Sequence, residues 1–416
     1  MDGCFVNHRD IRMRTPRVGL GMNQEKYVGD REGQRAMKWL ADRQEPGFLE
    51  LSEEAEREFA SAALASEIDR GKARKRERWQ MVEEAGRLLP NEAVCSCCQE
   101  IIPTPTGQGV AVYRSKDSGS AFFLGVKPCG SVWMCAICAA KITERRRQEL
   151  RTGLQAWLAM GRKVFLLTLT IPHHSRRDTC FWCDQLLKAY RLMQNRTFWR
   201  NWTKNIGLVG TVRALEVTYG DNGAHVHIHV LLFCVDDKQV PTASDLLFSW
   251  QSCCVSKGKD KVALEKPNEC GVDIRDGTYA ASYVGKWGMD YELTKSHVKR
   301  GKESGRTPWD LLRASIKGDT AAGLLFQEYA NAFKGRRQLC WSRGLRQFLG
   351  LDEQGKTDQE LAEEHTEVGE LITTIAPDDW KRVLKHRARA SVLIVAERSG
   401  SVGVTRLLHH FTIKDG

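Results

Sequence analysis

Residues 208–234 constrain the fold of this chain more tightly than any other stretch. Two apolar runs, Leu208 to Tyr219 and His225 to Cys234, flank Gly220-Asp221-Asn222-Gly223. Glycine and Asn/Asp are the residues that reach the positive φ of tight hairpin turns, so an antiparallel hairpin is expected here. The second strand reads Ala224-His225-Val226-His227-Ile228-His229-Val230-Leu231. Strand side chains alternate between faces, which puts His227 and His229 on one face and Val226, Ile228 and Val230 on the core side. Two imidazoles so spaced can grip one divalent ion, since imidazole is the commonest metal ligand. The plainer reading is a solvated histidine face.

Neighbouring residues add to the histidines. Glu216, on the first strand of the hairpin, can supply a carboxylate to the same ion. A His-His-Glu set suits Mn²⁺ or Mg²⁺ with positions left open for phosphate oxygen. Val164 to Ile171 reads as a further strand stopped by Pro172, with His173 placed to line the site. His225 shares the face as a peripheral ligand, a phosphate contact or a surface histidine. In Tyr279-Ala280-Ala281-Ser282-Tyr283-Val284-Gly285-Lys286, helical spacing sets Tyr279, Tyr283 and Lys286 on one face.

Six of the 14 cysteines fall between residues 95 and 138. Cys-x-x-Cys pairs present two thiolates to one Zn²⁺, and two pairs complete a tetrahedral site. Cys95 and Cys98 with Cys135 and Cys138 make such a set, leaving Cys97 and Cys129 as spare or substitute ligands. The Gly-rich stretch 109–128 between them suits a zinc ribbon. Reduced, buried thiols are the alternative. Cys180-Phe181-Trp182-Cys183 has the same spacing but reads as buried thiols on a helix.

A net charge of +11 over 416 residues fits an anionic polymer as partner. Candidate phosphate contacts are Arg145 and Arg146 after the cysteines, Lys299 and Arg300 after the tyrosines, and Arg336, Arg337 and Arg343 later. Basic residues interleaved with aromatics suit single-stranded DNA. No apolar run approaches the roughly 20 residues of a membrane span. The first residues lack the apolar core of a secretory signal, and so many cysteines without one argue for a reducing cytoplasm. Residues 1–48 read as a peripheral arm, 49–90 as a charged helix, 91–140 as a zinc-ribbon-like segment, 141–350 as an α+β domain and 351–416 as a helical C-terminal segment.

The motifs together resemble those of plasmid rolling-circle replication initiators, the Rep proteins of the HUH endonuclease superfamily. The first motif is Leu166-Leu167-Thr168-Leu169-Thr170, the second His227-Ile228-His229, the third Tyr283 with Lys286. Cys129 to Cys135 and Gly335 to Arg346 also look like the plasmid family, and the likeness spans roughly residues 95–350. It implies an antiparallel-sheet core with packed helices, catalytic Mg²⁺ or Mn²⁺ and structural Zn²⁺. It implies that Tyr283 attacks a phosphodiester of single-stranded or supercoiled origin DNA, leaving a 5′-phosphotyrosine and a 3′-OH, with host helicase and polymerase as partners. Many plasmid initiators carry an acid where this chain has Tyr279; a second tyrosine allows alternating nucleophiles, or simply packs. An HUH transposase or relaxase and a non-enzymatic zinc-ribbon regulator are the competing readings. Against a relaxase, the tyrosines here follow the histidines.

Overall fold

The computed structural model describes residues 53–103, 107, 109–235, 238–257, 261–277, 305–364 and 369–415. Tyr279, Tyr283, Lys286, Lys299 and Arg300 lie outside the described residues. Helix α1 (Glu53–Leu88) leads to a short 3₁₀ turn, Ala93–Ser96, and the strands β1 (Val110–Ser115) and β2 (Ala121–Leu124). Helix α2 (Ala136–Ala159) connects these to β3 (Lys163–Thr170), α3 (Thr179–Asn195), α4 (Thr197–Asn205), β4 (Leu208–Gly220) and β5 (Gly223–Cys234). Then come α5 (Ala243–Cys254), β6 (Val272–Asp276), α6 (Pro308–Ile316), α7 (Thr320–Phe333), β7 (Leu339–Trp341), α8 (Leu345–Phe348) and α9 (Asp358–Glu363). Strand β8 (Gly369–Ile375) and helices α10 (Pro377–Lys385) and α11 (Arg389–Asp415) close the chain.

The expected α+β class holds, and both sheets are antiparallel. The larger sheet runs β6-β3-β5-β4-β7 and the smaller β2-β1-β8. The hairpin forms with Asp221-Asn222 as its two-residue loop and Gly220 facing Gly223, which takes φ +86°. Arg196, whose backbone is extended (ψ 149°), divides α3 from α4. Helix α6 has no counterpart in the sequence reading, although Thr307 and Asp310 form a capping box ahead of it.

The two faces of the large sheet are covered differently. Leu167, Leu169, Leu215, Val217, Val226, Ile228 and Val230 point into a core shared with Trp182, Leu186 and Met193 of α3, Trp250 of α5 and Phe326 of α7. The opposite face is covered over half its length. There Leu150, Leu154 and Trp157 of α2 pack on Val164, Val212, Leu231 and Phe233, with Leu345 and Leu349 beside them. Burial along β5 records the boundary: residues 223–228 alternate half-buried and buried, and from Ile228 onward every residue is buried.

The smaller sheet joins distant parts of the chain. Within the expected helical C-terminal segment, β8 pairs along β1, Val110 opposite Ile375 and Arg114 opposite Glu370. Trp380 of α10 donates its indole N–H to the Gln99 carbonyl at 3.0 Å and stands edge-on to Phe123. Arg389 of α11, 4% exposed, donates to the Cys97 carbonyl at 2.9 Å, with its guanidinium over the Trp79 ring of α1. The cysteine lobe is thus built from both ends of the described chain.

Candidate metal centres

Glu216, His227 and His229 converge on the half of that sheet face beyond the α2 core, each with a side chain only 10–13% exposed. Register accounts for it: Glu216 is directly opposite His227 across the hairpin, and Thr168 of β3 is opposite His229. The Nε2 atoms of His227 and His229 lie 3.5 and 3.8 Å from one carboxylate oxygen of Glu216. The three ligand atoms fall within 4.8 Å of one another. Each ring is held from behind. His229 Nδ1 meets the Thr168 hydroxyl at 2.9 Å, and His227 Nδ1 lies 3.4 Å from the His225 carbonyl. Metal-binding histidines are typically oriented in this way, through the nitrogen that does not bind. The donor set therefore fits a divalent ion of the Mg²⁺ or Mn²⁺ kind. Sequence spacing alone does not single out Thr168, although it sits in the first motif.

His225 and His173 stand beside this group and outside its ligand set. Their rings stack at 4.7 Å, and His225 is 5.2 Å from the His227 ring. Burial, with His227 and then His173 nearby, pushes the His225 imidazole down to about 4. Burial also lowers His173. Both are expected to be neutral near pH 7.

The thiol cluster differs from the expected one. Sulfurs of Cys97, Cys129, Cys135 and Cys138 lie within 4.8 Å of one another. Cys97 Sγ is 3.5 Å from Cys135 and 3.6 Å from Cys138, and Cys129 Sγ is 3.6 Å from Cys138. Cys95 and Cys98, paired by spacing alone, are not in this group. Local backbone is the reason. Cys95 sits on the 3₁₀ turn with its backbone packed where a side chain at Gly86 of α1 would be. The chain then reverses at Cys98, whose φ is +54°. Cys97 is thereby carried inward, and Cys98 Sγ stays 3.8 Å behind it. Cys135 also caps α2, accepting from the Cys138 N–H at 3.4 Å. Hydrogen bonds from Cys129, Cys135 and Cys138 hold the Cys97 thiol far below its ordinary pKa, so the cluster favours at least one thiolate. Four sulfurs at this spacing fit a tetrahedral Zn²⁺ site. Of the other pair, Cys183 is buried and Cys180 exposed, so half of that expectation holds.

Three of the arginines expected at DNA are engaged within the protein. Arg146 pairs with Asp358 of α9 and bonds Gln338 at 3.1 Å; Arg145 lies 3.9 Å from Glu364; Arg336 pairs with Asp184 at 2.9 Å. Arg337 and Arg343 are exposed, and neither forms an ion pair among the described residues.

Fold and donor sets define a class of α+β protein with a His-x-His strand on one sheet face and a cluster of four thiols. The chain belongs to the replication-protein family, whose model matches residues 126–389. That span holds both donor sets apart from Cys97. The chain is 28% identical over 351 residues to the protein rep of Streptomyces lividans, covering 67% of this chain and 76% of that one. It is 25% identical over 146 residues to a neomycin resistance protein of Streptomyces cyanogenus, covering 29% and 33% respectively. No solved structure matches. The resemblance to plasmid Rep initiators is borne out: the chain is a replication protein of that kind, with DNA as its partner. Among the described residues no helix is long and apolar enough to cross a membrane.

Proposed function

We propose that the chain starts plasmid replication by nicking one strand of origin DNA, with Tyr283 as nucleophile. The carrying observation is the convergence of Glu216, His227 and His229 on the half of the sheet face that lies beyond the α2 core. Mg²⁺ or Mn²⁺ held by these three residues would polarise the scissile phosphate and stabilise charge on its oxygens. The Tyr283 oxygen attacks phosphorus, the bond to the 3′-oxygen breaks, and the DNA is left as a 5′-phosphotyrosine and a free 3′-OH. That hydroxyl primes a polymerase, and the covalent link conserves the bond for later rejoining. A phenol with a pKa of ~10 is only about 0.1% ionised at pH 7. Lys286 supplies positive charge that lowers this pKa or counters the phosphate. Thr168 keeps the His229 ring turned toward Glu216. Tyr279 acts as a second nucleophile at termination. Zn²⁺ on Cys97, Cys129, Cys135 and Cys138 has a structural role. A host helicase and polymerase extend the primed end.

The test is incubation with Mn²⁺ and supercoiled DNA carrying the candidate origins. Nicked DNA with protein covalently on its 5′ end is expected, and mass spectrometry of the adduct peptide should find Tyr283. Tyr283→Phe should abolish nicking, whereas Tyr279→Phe should spare nicking and impair termination. Absence of nicked or tagged DNA with every origin would sink the proposal in favour of a regulator that binds without cutting.

A further inference from the structure

A cleft of about 980 Å³ lies between helix α2, strand β7 and the loop 129–134. Much of its wall is internally neutralised. Arg146 pairs with Asp358, Arg346 with Glu149, and Glu364 lies near both Arg145 and Lys356. Lys334 pairs with Glu92 at 2.5 Å. The remaining acids, Asp352 and Glu353, are exposed on the turn that follows α8. Against this background Arg337 and Arg343 stand out. Both line the cleft, both are exposed, and among the described residues neither has a counter-charge.

Sheet register connects the cleft to the Glu216 site. Leu339 of β7 is opposite Ala214 and Trp341 is opposite Val212. The ladder continues beyond the strand, with the Leu215 N–H donating to the Gln338 carbonyl at 3.3 Å. Arg337 is the next residue, just past the last bonded position of this ladder, as Glu216 is the next residue after Leu215 on β4. From Arg337 to Arg343 is six residues, at most ~20 Å of extended chain. Two cations over such a span match a few successive phosphates. Trp341 lies between them, half-buried, with Arg346 over its ring at 5.2 Å.

We propose that this cleft is a channel for a single DNA strand running from the Glu216 site, with Arg337 on a phosphate next to that site and Arg343 on one further along. The proposal rests on the reading of that site as the place where DNA is cut. A single strand is favoured because its phosphates answer two exposed arginines that have no counter-charge among the described residues, and its exposed bases can use an aromatic wall.

The test measures binding without cleavage. A fluorescein-labelled 20-nucleotide oligothymidylate is titrated with full-length protein, without added Mg²⁺ or Mn²⁺ and without chelator, at several salt concentrations. The doubly substituted Arg337→Ala/Arg343→Ala protein should bind at least about fivefold more weakly at low salt. Its slope of log affinity against log salt should shrink by about 1.4, at ~0.7 per lost phosphate contact on single strands. Both residues are exposed, so the thermal unfolding midpoint should not move. Arg191→Ala, on α3 over the opposite face, should leave affinity and slope unchanged. An unchanged slope in the double variant, an equal loss in Arg191→Ala, or weakened binding of a 20-base-pair duplex alone would overturn the channel. Nicking by Tyr283 would still stand or fall by its own assay, since this one requires no cleavage.

Discussion

Thr168 shows how much of the site depends on one hydroxyl. Its oxygen lies 2.9 Å from His229 Nδ1 and leaves Nε2 facing Glu216. Replacing it with valine keeps the β-branched shape and removes the hydrogen bond. Thr168→Val should weaken Mn²⁺ binding about 10–100-fold by isothermal titration, the usual range for losing such a support. Far-ultraviolet circular dichroism should stay the same. An unchanged Mn²⁺ affinity would mean that the ring is held by packing alone. The histidines themselves were legible in the sequence because a period of two is readable without knowing any neighbour. Glu216 was legible because a two-residue loop fixes hairpin register. Thr168 was not, since its place opposite His229 depends on a strand that precedes β5 by some sixty residues.

Among the elements, the 3₁₀ turn before Cys97 most changed the expected chemistry. Spacing paired Cys95 with Cys98, as Cys-x-x-Cys rules suggest. A three-residue offset brings two thiols together only where the backbone between them turns around a shared point, and here the turn points Cys97 inward instead. The consequence is measurable as zinc content by inductively coupled plasma mass spectrometry. Cys97→Ser and Cys129→Ser should each lose bound zinc, and Cys95→Ser should retain about one equivalent. Retention in Cys129→Ser with loss in Cys95→Ser would restore the pairing read from spacing. The arginines of α2 are engaged within the protein for a related reason. Charge runs are local, whereas the acids that engage Arg145 and Arg146 come from α9 and the residue that caps it, more than 200 residues later.

For the whole molecule, the Arg146–Asp358 pair fastens the last third of the chain to helix α2. Burial lowers the pKa of the Arg146 guanidinium and raises that of the Asp358 carboxyl, so both charges are costly to hold there. Such pairs are expensive to break and cheap to replace. Arg146→Ala alone should destabilise by about 2–3 kcal/mol in urea unfolding, below the ~3–5 kcal/mol for fully buried pairs because Asp358 is a third exposed. Arg146→Met with Asp358→Leu should come close to the parent. A double variant as unstable as the single would show that the pair holds the cleft wall by hydrogen bonding and not by charge. The α+β class was legible from the strand and helix patterns; the union of the first and last segments was not, because β8 has no partner within its own neighbourhood. That union has a consequence on the ribosome. Strand β1 is made some 250 residues before the strand that completes its sheet, roughly 12–50 s of translation at ~5–20 residues per second. Until β8 emerges, the edge of β1 and the aromatic faces of Trp79 and Phe123 lack their covering. The nascent chain therefore completes the sheet beside its thiol cluster only after β8 has emerged, so a product terminated before β8 would carry the histidine strand without that sheet finished.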